Sequence, residues 1–146
     1  MATKTRTAEA VWTGTGRDGR GTLTTASGAL SGTAYSAGMR FRDDPGSNPE
    51  ELVAAAHAGC FNMALAFDLG AAGHTPEELR TTAAVTIERG ETGWTIAEVV
   101  LRLRGRVPGM TSEEFHKAAE GAKAGCPISR LLQGGAKITL QAELVG

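Results

Sequence analysis

The chain has 146 residues, of which 41% are hydrophobic, so it is long enough to bury one substantial core. Its 15 basic and 16 acidic side chains leave a net charge of -1, which gives no electrostatic reason to bind nucleic acid or an anionic membrane. The composition also excludes a disordered chain, a collagen and a coiled coil.

Neither a membrane span nor an export signal is evident in the sequence. No apolar run approaches the roughly 18 to 20 residues that a membrane helix needs. Residues 1–9 carry two cations but lack the apolar segment of a secretory signal. We therefore expect a soluble, cytoplasmic protein that forms a single domain over residues 1–146.

The first third of the chain predicts antiparallel strands joined by turns. Short segments that are rich in threonine or aromatic residues and bounded by glycine are typical of hairpins. Such segments are residues 7–12, 21–25, 32–35 and 38–41. The Asp-Asp-Pro-Gly-Ser run at residues 43–47 predicts a turn that ends this strand-rich part.

A long helix is predicted to follow this turn. Asn48 can cap its first turn, and Pro49 fits the first helical position. Glu50 and Glu51 then complement the positive end of the helix dipole. As far as residue 69 the helix is apolar on nearly every side, which is typical of a buried helix.

Two further strands and a second helix are predicted next. Residues 81–88 and 94–106 have the composition of strands, and alternating arginines in the second strand indicate a solvated face. The Thr-Ser-Glu-Glu run that starts at Thr111 is a capping box for a helix that ends near residue 123.

The last part of the chain predicts a short helix and a strand. Cys126 precedes Pro127, so we expect this cysteine to cap a helix over residues 127–132. Residues 137–144 alternate as a final strand. The order of the elements indicates an α+β fold.

Two patterns that often mark cofactor or metal sites do not fit. The Gly-x-Gly-x-x-Gly string at residues 14–19 needs a helix behind it to hold a pyrophosphate, and a strand-forming segment follows instead. The three histidines, His57, His74 and His116, lack the spacing of metal ligands. We expect neither a bound cofactor nor a metal ion.

Cys60 and Cys126 are the only thiols, too few for a disulfide scaffold or a cysteine zinc site. A helix N-terminus favours the thiolate of Cys126, whereas Cys60 lies about 18 Å into a buried helix, where burial raises a thiol's pKa. On these local grounds Cys126 is the better nucleophile. His57 shares a helix face with Cys60, so a Cys–His pair is an open alternative to a histidine that packs the helix.

Two cysteine segments resemble the OsmC/Ohr family of peroxide-detoxifying proteins. They are residues 48–65, Asn-Pro-Glu-Glu-Leu-Val-Ala-Ala-Ala-His-Ala-Gly-Cys-Phe-Asn-Met-Ala-Leu, and residues 123–129, Lys-Ala-Gly-Cys-Pro-Ile-Ser. Residues 35–41 and 107–109 resemble the OsmC branch, and the similarity extends over essentially the whole chain. The resemblance implies an α+β intertwined homodimer, in which antiparallel sheets wrap around long, buried central helices.

The same resemblance implies a thiol peroxidase that reduces organic hydroperoxides to alcohols in oxidative or osmotic stress defence. It assigns Cys60 as the peroxidatic cysteine, which becomes a sulfenic acid, and Cys126 as the resolving cysteine, which closes a disulfide. Arg40 matches the activating arginine and Glu50 the carboxylate that holds it, although Arg42 lies on the same face of the predicted strand. An external dithiol, from a lipoyl or thioredoxin-like protein, would restore both thiols without a bound cofactor.

The spacing of Glu50 and Cys60 favours a site built from two subunits. Ten residues of one straight helix span about 15 Å, too far for the two side chains to meet. A site that contains both residues then needs Glu50 from a second subunit or a break in the helix. A helix that is apolar on all sides points the same way, because a small chain covers it with difficulty.

Three other functions remain open at this point. The chain could be a small-molecule binding domain that kept the fold and lost catalysis. It could be a hydrolase that uses Cys60 and His57, or both cysteines could be ordinary core residues. Peroxide-dependent formation of a disulfide separates the peroxidase from all three.

Overall fold

The computed structural model describes residues 2–146, which form two compact units divided between Leu52 and Val53. Each unit contains one three-stranded sheet. Strands and helices are both present, and the α+β class that the order of elements predicts is confirmed.

The first unit contains an antiparallel sheet in the order β1-β2-β3. Its strands are β1 (Ala8–Thr13), β2 (Arg20–Thr25) and β3 (Thr33–Tyr35). Gly21 lies against the rings of Trp12 and Tyr35, whose centroids are 5.3 Å apart, and a Cβ at this position would collide with both rings. Three of the four strands predicted in the first third are therefore confirmed.

The fourth predicted strand is wrong, because residues 38–41 belong to a short helix, α1 (Ala37–Phe41). Ser36 caps this helix, since its side chain accepts a 3.2 Å hydrogen bond from the backbone N–H of Met39. Five residues are too few for apolar periodicity to distinguish a helix from a strand. Residues 43–47 form neither helix nor strand and bend at Pro45 and Gly46, so the predicted end of the strand-rich part is confirmed.

The long helix α2 (Pro49–Ala71) begins where the sequence predicts and ends two residues later than expected. The backbone N–H of Glu51 donates a 2.8 Å hydrogen bond to Asn48 Oδ1, which confirms Asn48 as the cap. The helix is continuous from its first residue to its last.

The expectation that α2 is buried on nearly every side is not met within one chain. Its buried residues recur at every fourth position, and they are His57, Phe61, Leu65 and Leu69. Met63 and Phe67 stay 64% and 73% exposed. By length and composition alone α2 would also be long and apolar enough to cross a membrane, a property that the core helix of a soluble protein shares. Exposed apolar side chains that lie this close together are typical of a contact surface.

The second unit contains a mixed sheet in the order β4-β5-β6. Its elements are β4 (Glu78–Gly90), β5 (Gly93–Arg106), α3 (Ser112–Gly125), α4 (Pro127–Leu132) and β6 (Lys137–Leu144). β4 and β5 pair in antiparallel fashion, whereas β6 pairs with β5 in parallel. The prediction of antiparallel sheets is therefore wrong for β6, because α3 and α4 supply the crossover that a parallel neighbour requires.

The core of the second unit forms around β5. Val99, Leu101 and Leu103 are buried on one side of this strand, in one apolar cluster with Phe61 and Phe115. The arginines that alternate with them are exposed, so the predicted solvated face is confirmed.

The start of α3 has the predicted capping box. The hydroxyl of Thr111 accepts a 3.2 Å hydrogen bond from the backbone N–H of Glu114. The carboxylate of Glu114 accepts one of 2.8 Å from the backbone N–H of Thr111. This reciprocal pair of hydrogen bonds fixes the start of α3. Cys126 follows directly after the other end of the same helix.

Candidate functional site

Cys60 on α2 and Cys126 at the start of α4 lie side by side in the second unit. Their Sγ atoms are 3.1 Å apart, and both residues are free thiols. Because the S–S bond of a disulfide is about 2.05 Å long, a movement of about 1 Å would join the two sulfur atoms.

The structure confirms that Cys126 caps α4. Its backbone N–H donates a 2.9 Å hydrogen bond to the carbonyl of Ala122 and so ends α3. Its Sγ accepts a 3.4 Å hydrogen bond from the backbone N–H of Ser129, and Pro127 occupies the first turn of α4. The sulfur therefore faces the positive end of a helix, as the sequence predicts.

Solvent reaches the two cysteines unequally. Cys126 is 0% exposed, whereas Cys60 is partly exposed. A reactant that approaches from solution therefore meets Cys60 before Cys126.

The two thiols also differ in acidity. Burial acts to raise the pKa of Cys126, but hydrogen bonds from Ser129, Cys60 and the Ile128 backbone outweigh it, and this pKa lies below its ordinary value. Burial raises the pKa of Cys60; the Ile128 backbone N–H opposes this rise, and Cys126 adds to it. Cys126 is thus the more acidic thiol in the single chain, as the local argument predicts.

His57 is enclosed in the same unit and binds Ser129. Its Nε2 atom lies 2.7 Å from Ser129 Oγ, and its Nδ1 atom is buried without a hydrogen-bond partner among the described residues. Burial lowers the pKa of His57, so the ring is neutral near pH 7. Because Nε2 contacts Ser129 and Nδ1 has no hydrogen-bond partner among the described residues, the imidazole of His57 makes no hydrogen bond to Cys60 there.

Ser129 is the residue of this cluster that the sequence analysis missed. It lies 72 positions from His57, so no local pattern joins the two. One signal was available, because Ser129 follows the capping Cys126 by three residues. That spacing brings the N–H of the later residue to the capping atom of a helix.

In the first unit, Arg40 and Glu50 form a bidentate ion pair. Arg40 Nη2 is 2.7 Å from Glu50 Oε1, and Arg40 Nε is 3.1 Å from both carboxylate oxygens. Arg40 lies in α1 and Glu50 in the first turn of α2, and Asn48 joins the two elements by donating from Nδ2 to the carbonyl of Met39 at 3.1 Å. The guanidinium is thereby held in one orientation.

The expectation that Arg42 shares a face with Arg40 is wrong. Because residues 37–41 are helical, Arg42 caps the end of α1, and its backbone N–H donates to the carbonyl of Gly38 at 3.0 Å. Its side chain turns to Asp44, with Nη2 3.6 Å from Oδ2. The two arginines therefore have different carboxylate partners.

The four predicted site residues are thus brought together as two pairs, Arg40 with Glu50 and Cys60 with Cys126. α2 is unbroken between Glu50 and Cys60, so a break in the helix cannot unite these residues. Within residues 2–146, no group of three or more histidine, cysteine or acidic side chains is placed to hold a metal ion.

Comparison with known proteins shows what the chain is similar to. The family described as OsmC-like protein matches residues 42–141. The peroxiredoxin OsmC of Escherichia coli (strain K12) is 43% identical over 136 residues, which are 93% of this chain and 94% of that protein. An organic hydroperoxide resistance protein of Xanthomonas axonopodis pv. citri is 35% identical over 96 residues, which are 65% of this chain and 66% of that protein.

A solved structure has the same fold. The crystal structure of an organic hydroperoxide resistance protein from Elizabethkingia anophelis matches with a TM-score of 0.76 and 29% identity. The match covers 99% of this chain and 100% of that chain. The resemblance inferred from the two cysteine segments is confirmed by these similarities.

Proposed function

The chain belongs to the OsmC-like protein family, and on that basis we propose that it is a thiol peroxidase that reduces organic hydroperoxides to alcohols in stress defence. The observation that carries the proposal is the 3.1 Å separation of the Cys60 and Cys126 sulfur atoms. Two thiols at this distance can deliver two electrons by closing a disulfide. We treat residues 1–146 as one functional domain, because the Escherichia coli relative matches 93% of the chain.

In the proposed reaction Cys60 attacks the hydroperoxide, because it is the cysteine that solvent reaches. Its thiolate attacks the terminal oxygen, and the O–O bond breaks. The sulfur keeps that oxygen as a sulfenic acid, and the alkoxide takes a proton and leaves as the alcohol. Cys126 is more acidic, but its enclosure keeps a hydroperoxide away from it. Access therefore assigns the first step to Cys60.

Cys126 then attacks the sulfenic sulfur of Cys60. The S–S bond forms, the S–O bond breaks, and the oxygen leaves as water. An external dithiol restores both thiols by exchange with the disulfide. A lipoyl protein or a thioredoxin-like protein has the required chemistry, and the proposal needs no bound cofactor.

Arg40 is the cation that the proposal assigns to Cys60. The raised pKa of Cys60 keeps its thiol protonated at neutral pH, and a nearby positive charge is the usual means of lowering it. Glu50 fixes the guanidinium with two oxygens, which orients its remaining donors. The same donors would bind the peroxide oxygens during the attack.

A second subunit is proposed to bring Arg40 and Glu50 to Cys60. Ten residues of continuous helix separate Glu50 from Cys60, about 15 Å at about 1.5 Å per residue. We assign the exposed side chains of Met63 and Phe67 on α2 to the contact between two copies, which would give their apolar surface a cover. The proposal therefore places α2 in a homodimer interface and not in a membrane. It also describes a cytoplasmic protein without a nucleic-acid partner.

Turnover of cumene hydroperoxide with dihydrolipoamide as the dithiol tests the proposal. We expect one alcohol formed for each dithiol oxidised by the unmodified chain, and a background rate for Cys60→Ser. Binding of the hydroperoxide without its consumption would instead indicate the alternative, an inactive small-molecule binding domain of the same fold. A hydrolase would form a thioester on Cys60 with an activated ester.

A further inference from the structure

Two buried polar side chains beside the cysteines take no part in the reaction described so far. His57 and Ser129 are 0% and 1% exposed, and His57 Nε2 lies 2.7 Å from Ser129 Oγ. Ser129 in turn hydrogen-bonds Cys126, since its backbone N–H donates to Sγ at 3.4 Å. A chain of contacts therefore leads from the imidazole through Ser129 to the sulfur of Cys126.

The unpartnered atom of His57 indicates where the ring proton lies. A neutral imidazole carries one proton, on Nδ1 or on Nε2. Nδ1 is buried without a partner among the described residues, and a buried N–H without an acceptor is costlier than an empty lone pair. We therefore assign the proton to Nε2, which donates to Ser129 Oγ. The Ser129 hydroxyl then accepts from His57 and keeps its own proton available to donate.

We propose that His57 and Ser129 are positioning residues for Cys126. The Nε2–H of His57 donates to the Ser129 hydroxyl and orients it, so that the hydroxyl donates to the Cys126 thiolate. This inference deepens the proposed function and rests on it, because it concerns the second step of that reaction. Neither residue touches the hydroperoxide. Both act by holding negative charge on a sulfur that is enclosed by protein.

Ser129 is chemically unchanged by the second step, the closure of the disulfide. Cys126 first gives its proton to solvent, and its thiolate attacks the sulfur of the Cys60 sulfenic acid. The S–S bond forms, the S–O bond breaks, and the departing hydroxide takes a proton to leave as water. The hydroperoxide that formed the sulfenic acid is the oxidant for both cysteines.

Few other charged groups face Cys126 from the elements packed around it. From α2 these are Cys60 itself and, through Ser129, His57. β5 contributes buried apolar side chains to this core. The charged residues at the end of α3 and on α4 are Glu120 and Lys123, which pair at 3.5 Å, and Arg130, which is exposed. We call the contacts from His57 through Ser129 to Cys126 the relay. When a substitution alters only His57 or Ser129, a change in the pKa of Cys126 is thus attributable to the relay.

Titration of the Cys126 thiolate by its ultraviolet absorbance, in a Cys60→Ser chain, tests the relay without any peroxide. We expect Ser129→Ala and His57→Leu each to raise the pKa of Cys126 by about one unit or more. His57→Gln keeps an N–H donor, so the pKa of Cys126 in this variant should stay close to its value in the Cys60→Ser parent. Ser112→Ala is the matched control, because Ser112 and His116 form an exposed serine–histidine contact on α3.

An unchanged pKa in Ser129→Ala or in His57→Leu would overturn the inference, as would equal values for His57→Gln and His57→Leu. Ser129→Ala removes one oxygen and adds no volume, so it is the variant that should fold most readily. With both cysteines present, this variant should form the sulfenic acid at the original rate but close the disulfide about tenfold more slowly, which dimedone trapping measures. Because the titration needs no peroxide, it stands apart from a failure of the proposed peroxidase activity.

Discussion

The sulfur atoms of Cys60 and Cys126 lie 3.1 Å apart, and the two thiols differ in both exposure and acidity. The sulfur that solvent reaches has the raised pKa, and the enclosed sulfur has the lowered pKa. The proposed reaction uses this difference, because the exposed thiol would meet the hydroperoxide and the enclosed thiol would then attack its neighbour. The outer thiol needs an added positive charge to react, whereas helix α4 already activates the inner one.

Arg40→Ala should slow the oxidation of Cys60 by about 100-fold or more and raise the pKa of Cys60, because its thiolate loses the assigned cation. Rapid mixing with cumene hydroperoxide measures the rate, and the pH dependence of that rate gives the pKa. Arg42→Ala is the matched control, since Arg42 lies two positions away and pairs with Asp44 instead. Equal losses in the two variants would mean that a general loss of charge, not Arg40, is responsible.

Two inactive subunits should restore activity to one another. If each site takes Cys60 from one copy and Arg40 from the other, as proposed, a mixed dimer of Arg40→Ala and Cys60→Ser chains would have one intact site. Random mixing of equal amounts should restore about a quarter of the sites. Turnover after subunit exchange measures the recovery. If native mass spectrometry finds mixed dimers that remain inactive, both residues of a site come from the same chain.

The burial of His57 should make the protein less stable at acid pH. Its pKa in the folded chain lies below the ordinary 6.5, so on acidification the unfolded chain binds a proton before the folded chain does. The stability that the neutral His57 contributes is fully present above about pH 6.5. Below that pH the free energy of unfolding falls by at most about 1.4 kcal/mol per pH unit, until the pKa of His57 in the folded chain is reached.

Urea unfolding at about pH 7 and about pH 5.5 measures this effect of His57. His57→Gln should flatten the dependence over that interval, because glutamine does not titrate. His116→Gln, at an exposed histidine on α3, should leave it unchanged. A His57→Gln chain with the original dependence on pH would show that another group causes the acid sensitivity.

Gly105→Ala should destabilise the protein by about 1–3 kcal/mol through overpacking of the core. A Cβ at position 105 would collide with the ring of Phe115, which is fully buried. Gly121→Ala on α3 is the control, since a Cβ there meets no atom within 4 Å. Alanine in that helix interior should stabilise by about 0.5–1 kcal/mol, and chemical denaturation of both variants measures the two changes. Destabilisation by both substitutions would contradict this account of Gly105.

The features that the sequence predicts well are those that depend on neighbours along the chain. Asn48, Thr111 and Cys126 all cap the helices that they were expected to cap, because capping joins groups three residues apart. The alternation of arginines in β5 likewise reports a solvated strand face directly. The helix at Ala37–Phe41 was missed because its five residues carry too little periodicity, and its cap, Ser36, was not recognised.

The other features that sequence reasoning missed join distant segments. The parallel pairing of β6 with β5 is set by the crossover through α3 and α4, which no local pattern in Lys137–Leu144 encodes. His57 and Ser129 meet across 72 positions. The apolar side chains of α2 predict a buried helix. The sequence does not say whether the same chain or a second copy buries them.

The most direct measurement is the intact mass of three proteins after rapid mixing with one equivalent of cumene hydroperoxide: the unmodified chain, Cys126→Ser and Cys60→Ser. We expect the unmodified chain to lose two hydrogen atoms as the disulfide closes, and Cys126→Ser to gain one oxygen atom. Cys60→Ser should keep its mass on the same time scale. An oxygen gained by Cys60→Ser but not by Cys126→Ser would reverse the roles of the two cysteines, and no change in any of the three would contradict the peroxidase.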